Sequence, residues 1–274
     1  MKTVIRPVFF LHEDGELRSR LAGVLTQADR LVRVPDWDTL RASLRRAPAT
    51  AISVVDPMRE PAGEVRVLLE EFPSATVLAV VRPTPTHGEV LRKLFAWGVA
   101  DVIVLGREDT PAALARRVDG VRARTVHRLL ERALPRAVPS RSRALLAAAA
   151  ETVAAGGLAA ELAAALGVNE RTVLRWCERA DLPPPRRLLA WLRLLMAAEM
   201  LGDPGRTVGS IAEASGYASA VSLKAAFRQF LGVTPREARE RGAFDTVASG
   251  FAAELFRLRE ASRDQGRPEK TWLN

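Results

Sequence analysis

The sequence predicts two parts of different class. The first is an α/β part built on a five-stranded, mainly parallel sheet with helices on both faces; the second is an all-α part holding two helix-turn-helix units. Three observations predict this. Short apolar runs at 8–11, 31–34, 51–55, 76–81 and 102–105 alternate with amphipathic stretches at 16–27, 37–46, 63–72, 86–97 and 110–134, which is strand and crossover helix repeated five times. Pro135 and Pro139 then interrupt the pattern, since proline breaks a helix interior. Beyond them a plan of helix, glycine turn and helix occurs twice, around Gly167 and around Gly216. The expected divisions are an α/β domain at 1–134, a linker at 135–142, a double helix-turn-helix domain at 143–242, and an amphipathic helix with a disordered tail at 243–274. A chain of 274 residues is long enough for two cores.

In a doubly wound parallel sheet the site lies at the carboxyl ends of the strands. Here strand 1 ends in His12-Glu13-Asp14 and strand 3 in Asp56. The order and spacing resemble the receiver domain of bacterial response regulators, a flavodoxin-like fold. That resemblance implies an acidic pair after strand 1, a phosphoacceptor aspartate after strand 3, Thr or Ser after strand 4 and Lys after strand 5. The acidic pair corresponds to Glu13 and Asp14, weak metal candidates, and the acceptor to Asp56. The last two positions fall on Val81 and Leu105, with Gly106 in place of the usual proline. Phosphoryl chemistry needs clustered carboxylates for Mg²⁺, a hydroxyl and a cation; aliphatic side chains supply neither of the last two. The expectation is a receiver-like domain that has lost its switch, with Asp56 a strand-end turn residue ahead of Pro57. Phosphorylation at Asp56 is the alternative. His12, His87 and His127 form no metal-ligand spacing, and no cofactor is implied.

The stretch 112–134 reads as a long helix. Leu114, Val118, Val121, Thr125 and Leu129 step by four, three, four and four, close to a coiled-coil seam, with Arg116, Arg117, Arg122, Arg124, Arg128 and Arg132 around it. Either the stripe packs on the sheet, or its distal part pairs with a second copy of the chain.

Past the linker, 143–155 is an alanine-rich helix ended by Gly156-Gly157. The first unit follows: a supporting helix at 158–166, a turn at Gly167, Asn169 as N-cap, and a recognition helix at 170–179 with Val173 and Cys177 inward. Arg171 and Arg175 share another face. Arginine suits base reading because its planar fork can hold guanine O6 and N7 together. Leu174 can meet a thymine methyl, Glu170 can accept from a cytosine amino group, and Arg179 completes the basic face. A connecting helix spans 187–201. In the second unit Ile211, Ala212 and Ala214 give the first helix its apolar side and Ser215-Gly216 the turn. Ser219 is the N-cap, and Leu223, Phe227 and Phe230 form the packed stripe. Ser219, Ala220, Val221 and Ser222 at the leading end offer little bidentate capacity, so Ser219, Ala220 and Ser222 are expected near bases, with Lys224 and Arg228 gripping phosphates. Gly232 closes the helix and Thr234-Pro235 starts another.

These residues resemble AraC-type transcription regulators. The second motif is carried by Ile211, Ala212, Gly216, Tyr217, Phe227, Phe230, Gly232, Thr234, Pro235 and Arg239; Leu223 stands where an aromatic is frequent. The first is carried by Leu-Ala-x-x-Leu-Gly-Val and Arg-Thr-Val-x-Arg at 162–175, whereas the usual Gly-x-Ser-Pro junction is here residues 181–185, Asp-Leu-Pro-Pro-Pro. The resemblance implies duplex DNA as partner, RNA polymerase as a second partner, and no enzymatic activity. A protein-interaction adaptor using the helices as scaffold is the rival from another class.

Composition bounds the rest. The net charge of +9 suits a polyanionic partner, yet residues 1–139 carry 22 basic and 17 acidic groups and residues 140–245 carry 14 and 11. The excess is spread, so individual arginines must carry the DNA argument. One cysteine forms no internal disulfide and suits a reducing cytosol. Without a signal pattern or an apolar run of ~20 residues, a cytoplasmic, membrane-free protein is expected. After position 243, Phe244, Val247, Phe251, Leu255 and Leu258 form an apolar seam expected to fold back onto the module, with disorder expected from about Ser262.

Overall fold

The apolar runs become five parallel strands, of which β3 and β4 at the centre are buried on both faces and the edge strand β2 is not. The computed structural model describes residues 6–264 apart from 60, 62, 84–86 and 136–137. Strands β1 (Arg6–Leu11), β2 (Asp29–Arg33), β3 (Ile52–Val55), β4 (Thr76–Val81) and β5 (Asp101–Val104) lie in the order β2-β1-β3-β4-β5, the flavodoxin-like order. Leu11 pairs with Val55, Val55 with Ala79, and Val81 with Val104, which aligns the carboxyl ends of β1, β3, β4 and β5.

Alternate residues of each strand serve opposite layers. Val8, Phe10, Ile52, Val54, Leu78 and Val80 pack with Leu17 and Leu21 of α1 (Gly15–Val24) and with Leu114, Val118 and Val121 of α5 (Pro111–Ala133). Phe9, Leu11, Val55, Val77, Ala79 and Val81 pack with α2 (Trp37–Leu44), α3 (Glu64–Glu71) and α4 (His87–Trp97).

Helix α5 corrects the dimer-seam expectation. Its first half covers the sheet, and its second half enters another core: Val126, Leu129, Leu130 and Ala133 are buried with the helices that follow. The stripe expected to serve a second copy is therefore consumed within the chain. Several of the surrounding arginines are engaged too: Arg122 with Asp29, Arg117 and Arg124 with Asp101, Arg132 with Glu199.

The helical part comprises α6 (Ser140–Ala154), α7 (Ala159–Ala165), α8 (Glu170–Arg179), α9 (Pro185–Leu201), α10 (Val208–Ala214), α11 (Ala220–Leu231), α12 (Pro235–Glu240) and α13 (Ala243–Asp264). Two expectations change. Residues 140–142 are helical, so the break between the parts is shorter than 135–142. Ser262 to Asp264 continue α13, where the Ser262 hydroxyl lies 2.5 Å from Asp181 Oδ1; the rest of the expected tail lies outside the described residues.

The turn between α9 and α10 is driven into the α/β part. Asp203 accepts from the Ser74 backbone N–H at 2.8 Å and from the Ser74 hydroxyl at 2.5 Å. Arg206 donates to Asp203 at 2.8 Å and to the Ala47 carbonyl at 2.7 Å. Gly205 N–H donates to the Glu71 carbonyl, and a Cβ on Gly205 would stand 2.6 Å from the Phe72 ring. Asp203 and Arg206 are 1% and 3% exposed. Removing one member of such a pair leaves the other charge buried and unpaired, which costs about 3–5 kcal/mol. Arg206→Ala is accordingly expected to lower unfolding stability in urea by about that amount, whereas Arg66→Ala, which breaks an exposed pair with Glu70, should cost under ~1 kcal/mol. Equal, small effects of the two substitutions would contradict the buried-clamp description.

Candidate nucleic-acid interface

Each helix-turn-helix unit is set by local chemistry. Glycines supply left-handed turns, Gly167 at φ 67° and Gly216 at φ 74°, a region that disfavours residues with a Cβ. Asn169 Oδ1 accepts from the Thr172 N–H at 2.9 Å and its hydroxyl at 3.1 Å, capping α8. Ser219 and Ser222 cap α11 reciprocally: the Ser222 N–H donates to Ser219 Oγ at 3.2 Å, and the Ser219 N–H to Ser222 Oγ at 3.0 Å. Val173 and Cys177 of α8, and Leu223 and Phe227 of α11, are fully buried. Burial pushes the Cys177 thiol up to about 11, so it is a core residue rather than a nucleophile.

Burying one side of each helix turns the other outward. On α8 the exposed residues are Glu170, Arg171, Arg175, Trp176, Glu178 and Arg179, with Leu174 half-buried. Arg175 donates to Thr172 Oγ1 at 3.3 Å, which ties it to the cap. Neither Arg171 nor Arg175 forms an ion pair among the described residues, although Glu170 and Glu178 are on the same helix. On α11 the exposed residues are Val221, Lys224, Ala225, Arg228 and Gln229, and neither Lys224 nor Arg228 is ion-paired among the described residues. Ala220 is half-buried at the first turn. Thus Arg171, Arg175 and Arg179 share the open side of one helix, Lys224 and Arg228 that of the other. The Asn169, Ser219 and Ser222 side chains are engaged in holding helix ends. Trp176, 37% exposed, was missed by sequence reasoning, and Val221, 73% exposed, was placed at the leading end of its helix but given no role. Helical periodicity alone places Val221 opposite Leu223 and Phe227, a signal present in the sequence.

The carboxyl edge of the sheet holds Asp56, His12, Glu13 and Asp14. Asp56 Oδ1 accepts the Met58 N–H at 2.9 Å, the bond of a strand-end turn. Asp14 caps α1 by accepting the Leu17 N–H, and that hydrogen bond, first among several causes, holds its carboxyl below the usual range. Glu13 lies 3.7 Å from Arg59. Among the described residues no group of three or more His, Cys, Asp and Glu could hold a metal. Val81 and Leu105 occupy the edge where the receiver resemblance implies Thr or Ser and Lys, and the Leu105 N–H donates to the Val81 carbonyl.

His12 is buried there. Its Nδ1 accepts the Asp14 N–H at 3.0 Å, and its Nε2 lies 4.0 Å from Asp56 Oδ2. Burial, outweighing the nearby carboxylates, lowers its pKa below 6.5. The unfolded chain therefore takes up this proton first as pH falls, and stability present above 6.5 is lost on descending toward the folded value. His12→Asn, which keeps an acceptor for the Asp14 N–H, is expected to flatten the fall in urea stability as pH drops below 6.5. An unchanged slope would contradict the assignment.

Comparison with known proteins agrees with the geometry of the helical part. Residues 162–241 match a family model described as a helix-turn-helix domain, the segment that resembles AraC-type regulators in sequence. No curated protein matches the chain. Among solved structures, full-length FixJ from B. japonicum is similar at 16% identity over 78% of this chain and 98% of its own, with a TM-score of 0.31; that score carries no weight here, and the sheet order stands on this chain's own strand pairing. Among the described residues no helix is long and apolar enough to cross a membrane. The chain carries a helix-turn-helix domain over residues 162–241.

Proposed function

We propose that the protein is a sequence-specific, non-enzymatic regulator of transcription whose two helix-turn-helix units enter successive major-groove faces of one duplex, ~34 Å apart. The observation that carries this reading is that Arg171 and Arg175 face outward with no ion pair among the described residues, on a helix whose opposite side is locked in the core. An arginine held by a carboxylate has its fork occupied; no carboxylate holds either of these two among the described residues, and Arg175 gives only one N–H to Thr172, which leaves donors to take guanine edges. Lys224 and Arg228 supply phosphate contacts, which position without specifying. RNA polymerase is the second partner that the AraC-type resemblance implies, and the cytoplasm the place of action. The α/β part serves as a receiver-like body without a phosphorylation switch: Asp56 is engaged in its turn, and Val81 and Leu105 bring neither hydroxyl nor ammonium to it.

Selection of duplexes from a random pool by the full-length protein tests this. Arg175→Ala is expected to relax preference at one or two positions, a loss of about 1–3 kcal/mol for the favoured base, while Arg228→Ala weakens binding to all sequences alike. Both effects should ride on an affinity that falls steeply with salt. Identical behaviour of the two variants would contradict the division of labour, and salt-insensitive or absent binding would favour the adaptor.

A further inference from the structure

The leading end of a recognition helix meets base edges, so what α11 leaves open there decides what it can read. Its two hydroxyls are committed, since Ser219 and Ser222 close the capping box on each other. Ala220 is half-buried. The outward group of the first turn is Val221, the most exposed large hydrophobic side chain among the described residues at 73%. Ala225 is exposed one turn later, and the exposed Lys224 and Arg228 run along one side of the pair. A lone exposed apolar residue needs no explanation in general. This one stands on the same exposed side as Lys224 and Arg228, neither of them ion-paired among the described residues, and opposite the buried Leu223 and Phe227, so a polyanion drawn to that face would cover it.

We propose that Val221 reads the C5-methyl group of thymine in the major groove, with Ala225 continuing the apolar strip, so that α11 selects a thymine-bearing base pair where α8 selects guanine. The thymine methyl is the apolar feature that distinguishes one base edge from the others in that groove. Valine is suited to it because its χ1 is stiff, so its two methyls are presented with little rotamer freedom to lose. This assignment rests on the DNA-binding reading above and goes beyond it by giving α11 a sequence preference of its own.

The test uses the full-length protein and a duplex enriched from a random pool, resynthesised with single thymines replaced by deoxyuridine, which lacks only the methyl. At one thymine or more the replacement should weaken wild-type binding about fourfold, the value of one buried methyl-sized group. Val221→Ala, which alters a surface side chain outside the core, should bind the thymine duplex about fourfold more weakly and no longer distinguish it from the deoxyuridine one. A Val221→Ala protein that keeps the full discrimination, or a wild type indifferent to every replacement, overturns the proposal while leaving DNA binding in place. Failure to enrich any duplex overturns both readings.

Discussion

Everything in the helical part hangs on α9, which is apolar on nearly all sides. Twelve of its 17 residues are buried, Trp191, Leu194 and Leu195 among them, and a helix of that kind is stable only when surrounded. It is surrounded by α6, α7, α8, α10, α12 and α13. Its first turns are pinned by Glu254 of α13, which accepts from Arg187 at 2.5 and 2.7 Å and from Trp191 Nε1 at 2.8 Å. Burial alone would raise the Glu254 carboxyl, but these hydrogen bonds outweigh it and hold it below the usual range. Trp191 also meets Phe230 of α11 edge-on at 4.9 Å and Phe251 of α13 at 5.6 Å. Recognition helices α8 and α11 are thereby two faces of one core, and the spacing between them is a property of α9.

Two of the contacts that join the α/β part to that core differ in character. The distal half of α5 contributes apolar side chains, a large and nondirectional contact. The turn of residues 202–207 contributes Asp203 and Arg206, a small and directional one whose polar atoms are matched to Ser74 and the Ala47 carbonyl. The second contact grips the joint immediately before α10. The carboxyl edge of the sheet, where the receiver resemblance implies a switch, holds a turn aspartate, a buried histidine and aliphatic side chains at the two positions of Val81 and Leu105.

What the sequence revealed and what it hid divide along the range of the interactions. Five strands, the Asn169 cap, the buried Cys177 and the packed stripe of α11 are local or periodic, and all were legible. The fate of α5 was not, because a stripe that fits a partner helix fits an intramolecular core equally well, and only the chain's return decides between them. The roles of Asp203 and Arg206 were not legible, since Ser74 and Ala47, their partners in the α/β part, lie 129 and 159 residues away. Ser219 was legible as the N-cap, but its reciprocal bond with Ser222, a residue expected near bases, was not. Their occupation is what leaves Val221 as the outward group.

The rigid presentation of two reading helices is tested most directly by hydroxyl-radical footprinting of the full-length protein on a selected duplex. Two protected backbone windows about one helical turn apart on the same side of the duplex are the expected result. A single window, or two windows on opposite sides, would contradict it.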